Sequence, residues 1–442
     1  MLDIKYKSLL KMAIPLMAST FIQSIVMLTD SAFLSRYSTI DFDASGNGGL
    51  LYITMFMTVY GLNDGAQILM ARRIGENKNN SIAQIFGTTL IANLLLVTGL
   101  FIIAQTLLPQ FITSYSAHPL IAEAEIEFLT IRSFSLFLAM ITLAINAYFM
   151  STGKTIVVFI SALIIAATNI LLDYLLIDGK FGFPELGIKG AALASTIADG
   201  FGMLFLIICL KFGTRFNQHQ LFNQIKFNAK SFKNLLKIGY PIMLQGLLAL
   251  STWTIFFTWI EQTGEHELTV SQNIRSIYFL AFVPIVGFGA TTKTYVSQYY
   301  GNKDFDSIKI VQKRIQLLTV LFMVIIFNGA LLYPATIVSF INPNPEYIES
   351  SVAILRFVSG SILIYSFTNV YFHSINGSGN TRATLYIEII SVFLYIVSAY
   401  LFIKIFKLDI FWVWSVEYIY FLSCGLLSIA YLKFFNWKKK II

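Results

Sequence analysis

The chain has 442 residues, of which 56% are apolar and only 12% are charged. A soluble domain carries about 25% charged residues, so this composition excludes a soluble protein and predicts a surface that faces lipid. Twelve spans of roughly 20 residues need about 240 residues, which leaves only short loops and no separate soluble domain. The net charge of +8 is interpreted as an orientation signal of a membrane protein, and nucleic-acid binding is not expected.

Twelve long apolar stretches follow one another along the chain. Each predicts a membrane-spanning helix, because runs of this length cannot be the strands of a barrel. The predicted fold class is therefore an all-α polytopic membrane protein with 12 transmembrane helices. The predicted spans are residues 9–34, 50–70, 82–108, 128–151, 155–177, 187–211, 238–260, 276–298, 316–338, 352–376, 384–406 and 411–434.

Lysine and arginine indicate the orientation, because short cytoplasmic loops carry an excess of positive charge. With the N-terminus inside, most of the 31 basic residues fall on the cytoplasmic side, including Arg72 and Arg73 after span two. The opposite side is acidic, with Asp41 and Asp43 in the first outer loop. We therefore predict a multi-pass protein of the bacterial inner membrane with both termini in the cytoplasm.

The two halves of the sequence repeat each other at a single gapless offset, which carries Pro15 onto Pro241, 226 residues later. Six spans in each half give both halves the same orientation in the membrane. Parallel repeats of this kind surround a central cavity in alternating-access carriers. We predict an N-terminal half at 1–212, a cytoplasmic linker at 213–237 and a C-terminal half at 238–442. The same offset relates Gly61 to Gly287, Gly75 to Gly301, and Gly153 to Gly379.

Ionisable residues inside spans are costly and therefore candidates for function. A helix rises about 1.5 Å per residue, and this rise places Asp30, Asp173 and Ser195 at one depth, roughly 8–9 Å below the outer ends of spans one, five and six. Asn169 precedes Asp173 by four residues and shares its helix face. The ionisable residues identified inside spans are Asp30, Asp64, Asp173, Asp199 and Glu388.

Two carboxylates, an amide oxygen and a hydroxyl suit either Na⁺, which prefers hard oxygen ligands, or a proton. The alternative is that Asp30 and Asp173 only hydrogen-bond between helices, and this alternative is stronger for Asp64 and Asp199. Glu388 lies four residues into its span and is expected to act near the cytoplasmic interface. Pro15 lacks a backbone donor and is either a bendable point in helix one or a static kink.

Five motifs stand out along the chain, at residues 15–30, 71–75, 169–173, 187–195 and 376–382. These segments resemble the MATE (multidrug and toxic compound extrusion) family along nearly the whole chain, most specifically those of spans five and six. The resemblance implies an antiporter, not an enzyme, that exports organic, often cationic and amphipathic, compounds against inward flow of Na⁺ or H⁺. It implies no cofactor; small organic molecules and membrane lipids are the expected partners, and the expected state is monomeric.

The family's coupling-cation ligands fall on Asp30, Asn169, Asp173 and Ser195, where Ser195 replaces the usual Thr. Asp199 is also included in the predicted cation-coupling set, as an additional acid at a position that is commonly Gln and to which the resemblance assigns no role. Asp30, Asn169 and Asp173 would bind Na⁺ directly if the protein is sodium-coupled, and Pro15 would be the hinge.

Some branches of the family have acids in spans seven and ten, where this chain has Ala249 and Tyr365. The C-terminal half therefore lacks that acidic cation site, and the chain resembles the DinF-like branch. The alternative function is a flippase for lipids or lipid-linked oligosaccharides in the same superfamily. Such a flippase is expected to have more cationic side chains inside its spans to hold a pyrophosphate.

Overall fold

The structure is a computed structural model that describes residues 1–116, 118–213, 219 and 221–439. Every long element in these residues is a helix, which confirms the predicted all-α class. The α-helices are α1 Tyr6–Tyr37, α2 Thr39–Gly75, α3 Asn80–Tyr115, α4 Pro119–Ser151, α5 Thr155–Leu176, α6 Ile188–Phe212, α7 Ala229–Glu261, α8 Glu265–Gly301, α9 Phe305–Leu332, α10 Pro334–Ile341, α11 Pro345–Gly377, α12 Thr381–Tyr400, α13 Ile410–Val413 and α14 Val416–Phe434.

Helix packing follows the internal repeat. In the first half α4 packs against α2, α3 and α6, and α5 packs against α6. In the second half α11 packs against α8, α9 and α14, and α12 packs against α14. These two sets match helix for helix when α2 to α6 are paired in order with α8, α9, α11, α12 and α14. The repeat in the sequence is therefore a repeat of structure.

The chain divides into two compact units, and the division does not follow the linker. The first unit, called the N-terminal unit below, comprises Ile14–Met243. The C-terminal unit comprises Met1–Ala13 together with Leu244–Ile442. The N-terminal unit begins inside α1 one residue before Pro15 and ends inside α7 two residues after Pro241, so both divisions lie close to the prolines that the repeat relates. Part of the predicted linker, residues 214–218 and 220, lies outside the described residues.

Eleven helices in the described residues are long and apolar enough to cross a membrane. The long helix outside this set is α2, whose central part is polar. Its Asn63, Asp64 and Gln67 are each at most 8% exposed, so these side chains lie against other helices and not against lipid. These polar residues lower the mean hydropathy of α2, which is 37 residues long.

Some predicted boundaries were wrong. The predicted outer loop with Asp41 and Asp43 is the first part of α2, where the hydroxyl of Ser38 caps the helix by accepting from the backbone N–H of Asp41 at 3.2 Å. The predicted span 316–338 contains the end of α9 at Leu332 and the start of α10 at Pro334. The backbone N–H at the first position of a helix has no hydrogen-bond partner within the helix. Proline, which lacks this N–H, therefore loses no hydrogen bond there and is favoured.

Glycines allow α7 to approach α2 closely within the N-terminal unit. A Cβ added to Gly61 would lie 2.4 Å from the backbone nitrogen of Met243, and one added to Gly65 would lie 2.9 Å from the Cα of Gly239. No real side chain fits at such distances, so the helix backbones are in direct contact. This contact explains why Gly61 and Gly65 occur in the polar middle of α2.

Candidate functional site

The candidate site lies in the N-terminal unit, where α1, α5 and α6 bring four predicted residues together. Asp173, Asn169 and Ser195 are 0%, 1% and 8% exposed. The carboxyl group of Asp30 interacts with the side chains of all three. The three residues that helical depth selects, together with Asn169, therefore form one cluster, called the Asp30 cluster below.

One hydrogen bond fixes the orientation of the amide in this cluster. The Nδ2 of Asn169 donates to the Oγ of Ser195 over 3.2 Å, between α5 and α6. The amide oxygen of Asn169 is then free to accept. Ser195 contributes a hydroxyl oxygen at the position where the resemblance led us to expect Thr.

Four oxygen atoms of the cluster are buried and have no hydrogen-bond partner within the described residues. They are Oδ1 of Asp30, Oδ1 of Asn169, and both carboxyl oxygens of Asp173. A buried acceptor without a donor is unfavourable, and a buried carboxylate without a counter-charge more so. A bound Na⁺, or a proton on one carboxyl group, would satisfy these oxygens. In the described part of the chain, no three His, Cys, Asp or Glu residues are grouped to hold a metal ion, and an amide and a hydroxyl complete this donor set.

Asp199 has a different environment from the one expected for a free cation ligand. Its Oδ2 accepts from the Nη1 of Arg132 over 2.8 Å and also accepts from the hydroxyl of Ser135. The side chains of Arg132 and Asp199 are only 16% and 18% exposed. Asp199 is therefore the partner of a largely buried guanidinium.

Arg132 is not among the residues predicted from the sequence, although it lies within the predicted span 128–151. Its guanidinium lies 4.4 Å from the ring centroid of Tyr52, and its charge acts on both Asp30 and Asp173. A cation inside a predicted span is costly and therefore also a candidate for function, but the comparison of depths included no basic residue. Three carboxyl groups and one guanidinium thus share this region of the N-terminal unit.

The other predicted residues lie elsewhere. Asp64 is buried on α2 and acts on Tyr60. Glu388 belongs to the C-terminal unit, where it accepts a hydrogen bond of 2.7 Å from the hydroxyl of Tyr420. Glu417, which was not predicted from the sequence either, is buried on α14 in the same unit.

Pro15 lies within α1, and its carbonyl accepts from the hydroxyl of Ser19 over 2.8 Å.

The MatE family model matches the chain twice, at residues 15–175 and at residues 241–401. The starts of the two matches, 15 and 241, are 226 residues apart, which is the offset of the internal repeat. The matches cover well over half of the chain and include Asp30, Asn169 and Asp173.

Curated and solved proteins are similar along most of their length. The probable multidrug resistance protein NorM of Thermotoga maritima is 24% identical over 417 residues, which cover 92% of this chain and 88% of the relative. The outward-facing structure of a multidrug resistance MATE family transporter of the MOP superfamily has a TM-score of 0.87 at 18% identity, with 96% and 94% of the chains covered. The structure of MATE in complex with MaD3S has a TM-score of 0.89 at 18% identity, with 98% and 97% covered.

Proposed function

The chain belongs to the MatE family of multi-pass membrane transporters and is not an enzyme, and on this premise we propose that it is a cation-coupled antiporter that exports organic compounds. The relative from Thermotoga maritima bears the name of a probable multidrug resistance protein, which supports drugs and other toxic organic molecules as substrates. Export would proceed by alternating access. The coupling ion is Na⁺ or H⁺.

The observation that carries the proposal is the set of four unpartnered buried oxygens in the Asp30 cluster. A cation that binds there removes the repulsion between Asp30 and Asp173 and supplies the missing partner of Asn169. Binding can drive transport only if the affinity of the site for the cation differs between the outward-open and the inward-open state of the protein. Asp30 lies on α1 and Asp173 on α5, so any movement of α1 against α5 changes the ligand set.

The orientation of the protein forms part of the proposal. The excess of Lys and Arg on one side supports cytoplasmic termini in a bacterial plasma membrane. The Asp30 cluster would then lie in the outer half of the bilayer, so the cation would load from outside and be released inside. We propose that the protein acts as a monomer.

The uncharged residues Ala249 and Tyr365 support the DinF-like branch. The ring of Tyr365 stacks on Phe421 with centroids 4.4 Å apart, so this position provides aromatic packing in place of an acid.

Lipid-linked pyrophosphate is the second candidate substrate, and Arg132 is the residue that would favour it. The guanidinium of Arg132 is already paired with Asp199 and covered by Tyr52. A guanidinium that is paired with a carboxylate offers no net charge to a pyrophosphate, so Arg132 does not support this substrate.

The test uses purified full-length protein in vesicles, with efflux of a fluorescent organic cation driven separately by a Na⁺ gradient and by a pH gradient. We expect one gradient to drive efflux in the wild type and neither to drive it in Asp30→Asn or Asp173→Asn. An exposed acid gives the matched control, since Glu346→Gln should transport like the wild type. Gradient-driven efflux at the wild-type rate by both Asn variants would overturn the proposal.

A further inference from the structure

Two glutamates and two tyrosines form a reciprocal arrangement between α12 and α14 of the C-terminal unit. Glu388 of α12 accepts from the hydroxyl of Tyr420 of α14 over 2.7 Å. In the opposite sense, Glu417 of α14 accepts from the hydroxyl of Tyr395 of α12 over 3.1 Å. The two tyrosine rings meet edge to face, with centroids 6.1 Å apart. Each helix thus contributes one carboxyl group and one phenol to the same contact.

Both carboxyl groups are buried, with Glu388 4% and Glu417 2% exposed. The hydroxyl of Ser391, which is 0% exposed, has no hydrogen-bond partner within the described residues. Ser391 follows Glu388 by three residues and precedes Tyr395 by four, so it shares their helix face and lies between the two pairs. The helix face that carries Glu388 and Tyr395 therefore also holds a buried polar group without a partner among the described residues.

Among the described residues, no cation acts on either glutamate. Glu388 is faced by Tyr420 and Cys424 of α14 and by Tyr365 of α11. Glu417 is faced by Tyr395 of α12 and by Tyr278 of α8. All of these groups are neutral when protonated, and none of them is a base that could pair with a carboxylate. A buried carboxylate without a paired cation is strongly unfavourable, so a proton is the partner that these surroundings can accept.

The internal repeat gives this contact a counterpart. Tyr395 lies 226 residues after Asn169, and the α12–α14 pair corresponds to the α5–α6 pair. Asn169 bonds across α5 and α6 to Ser195, and Tyr395 bonds across α12 and α14 to Glu417. The same place in the repeat therefore holds a hydrogen bond between polar side chains of two neighbouring helices in each unit.

We propose that Glu388 and Glu417 form a second proton-binding site, located in the C-terminal unit between α12 and α14. Each carboxyl group takes up and releases a proton while its phenol partner continues to donate to it. Exchange of these protons during transport rests on the proposed function. Binding of the protons to the two glutamates does not depend on it.

The test is infrared difference spectroscopy of the purified full chain between alkaline and acidic buffer. It is performed in the Asp30→Asn, Asp173→Asn background, so that the two carboxyl groups of the Asp30 cluster do not contribute. A protonated carboxyl in apolar surroundings absorbs at a higher frequency than an exposed one. We expect two such bands, with one lost in Glu388→Gln and the other in Glu417→Gln. The exposed control Glu346→Gln should lose neither.

Glutamine keeps the carbonyl that accepts from the tyrosine, so these variants retain the structural hydrogen bond and lose only the proton site. Unchanged spectra in both Gln variants would overturn the proposal and leave the pairs a structural role. If one Gln variant does not fold, Tyr395→Phe or Tyr420→Phe replaces it. Loss of the phenol donor should shift the band of the partner glutamate, and an unshifted band would count against the site.

Discussion

The Nη1 of Arg132 donates to the Oδ2 of Asp199 over 2.8 Å, and this ion pair lies within electrostatic reach of Asp30 and Asp173. The pair is neutral as a whole. Asp30 and Asp173 therefore remain as the two carboxyl groups that an external cation or proton can neutralise. Because Arg132 is paired with Asp199, its positive charge does not neutralise the carboxyl groups of the Asp30 cluster.

Asp199→Asn should weaken cation binding at the Asp30 cluster. The change leaves Arg132 without its carboxylate, so its charge acts undiminished on Asp30 and Asp173. We expect the half-saturating cation concentration for transport to rise by at least about tenfold, which corresponds to about 1.4 kcal/mol. The measurement is the cation dependence of efflux from vesicles.

The matched control for this change is the double variant Arg132→Gln, Asp199→Asn, which removes both charges together. Breaking a buried pair by removing one partner costs more than replacing both partners. The double variant should therefore bind the cation better than Asp199→Asn alone. If the single and double variants have equal cation dependence, the ion pair does not set the charge of the site.

Ser195→Ala should disturb the cluster by removing the acceptor of the Asn169 amide. A typical net hydrogen bond contributes about 0.5–1.5 kcal/mol, so we expect a cation affinity about three- to tenfold lower. Ser195→Thr keeps the hydroxyl and should bind like the wild type. An Ala variant with unchanged affinity would show that the orientation of Asn169 does not depend on Ser195.

Pro15→Ala should slow the transport cycle while cation binding stays near normal. Alanine supplies the backbone N–H that proline lacks, so α1 becomes stiffer at the place where the two compact units divide. Turnover should fall severalfold in an efflux assay with saturating cation. Pro109→Ala, within α3 of one unit, is the control and should not slow turnover; reduced cation binding by Pro15→Ala would mean that the proline shapes the site.

Gly61→Ala should destabilise the N-terminal unit. The added methyl group would lie 2.4 Å from the backbone of Met243, and overpacking of this kind costs about 1–3 kcal/mol. Gly99→Ala in α3 is the control, because an added Cβ there meets nothing within 4 Å. Thermal melting in detergent should show a lower midpoint for Gly61→Ala only, and equal midpoints would contradict the close approach of α2 and α7.

The sequence alone predicts the Asp30 cluster because helical rise is regular. Counting residues from the outer ends of spans places Asp30, Asp173 and Ser195 at one depth, and a spacing of four adds Asn169. The partner of Asp199 is not predictable in this way, because Arg132 reaches it across 67 residues of sequence through the packing of α4 on α6.

The boundaries of helices show the same limit. Hydropathy identifies the apolar centre of a helix but not its polar ends, so α2 begins at Thr39 while its predicted span begins at residue 50. The break before Pro334 lies inside an apolar run and leaves no mark in the hydropathy. The division of the chain beside Pro15 and Pro241 depends on contacts between helices distant in sequence.

Direct cation binding to the purified protein shows whether Asp30 and Asp173 hold the coupling ion. Equilibrium binding of radioactive Na⁺ and proton uptake are both measured in detergent, and every protein carries Glu388→Gln and Glu417→Gln so that the C-terminal glutamates take up no proton. We expect the protein with both aspartates to bind one of these ions at a saturable site that Asp30→Asn, Asp173→Asn lacks, while Glu346→Gln retains it. Saturable binding of that ion by the Asp30→Asn, Asp173→Asn variant with unchanged affinity would show that these two acids do not hold the coupling ion.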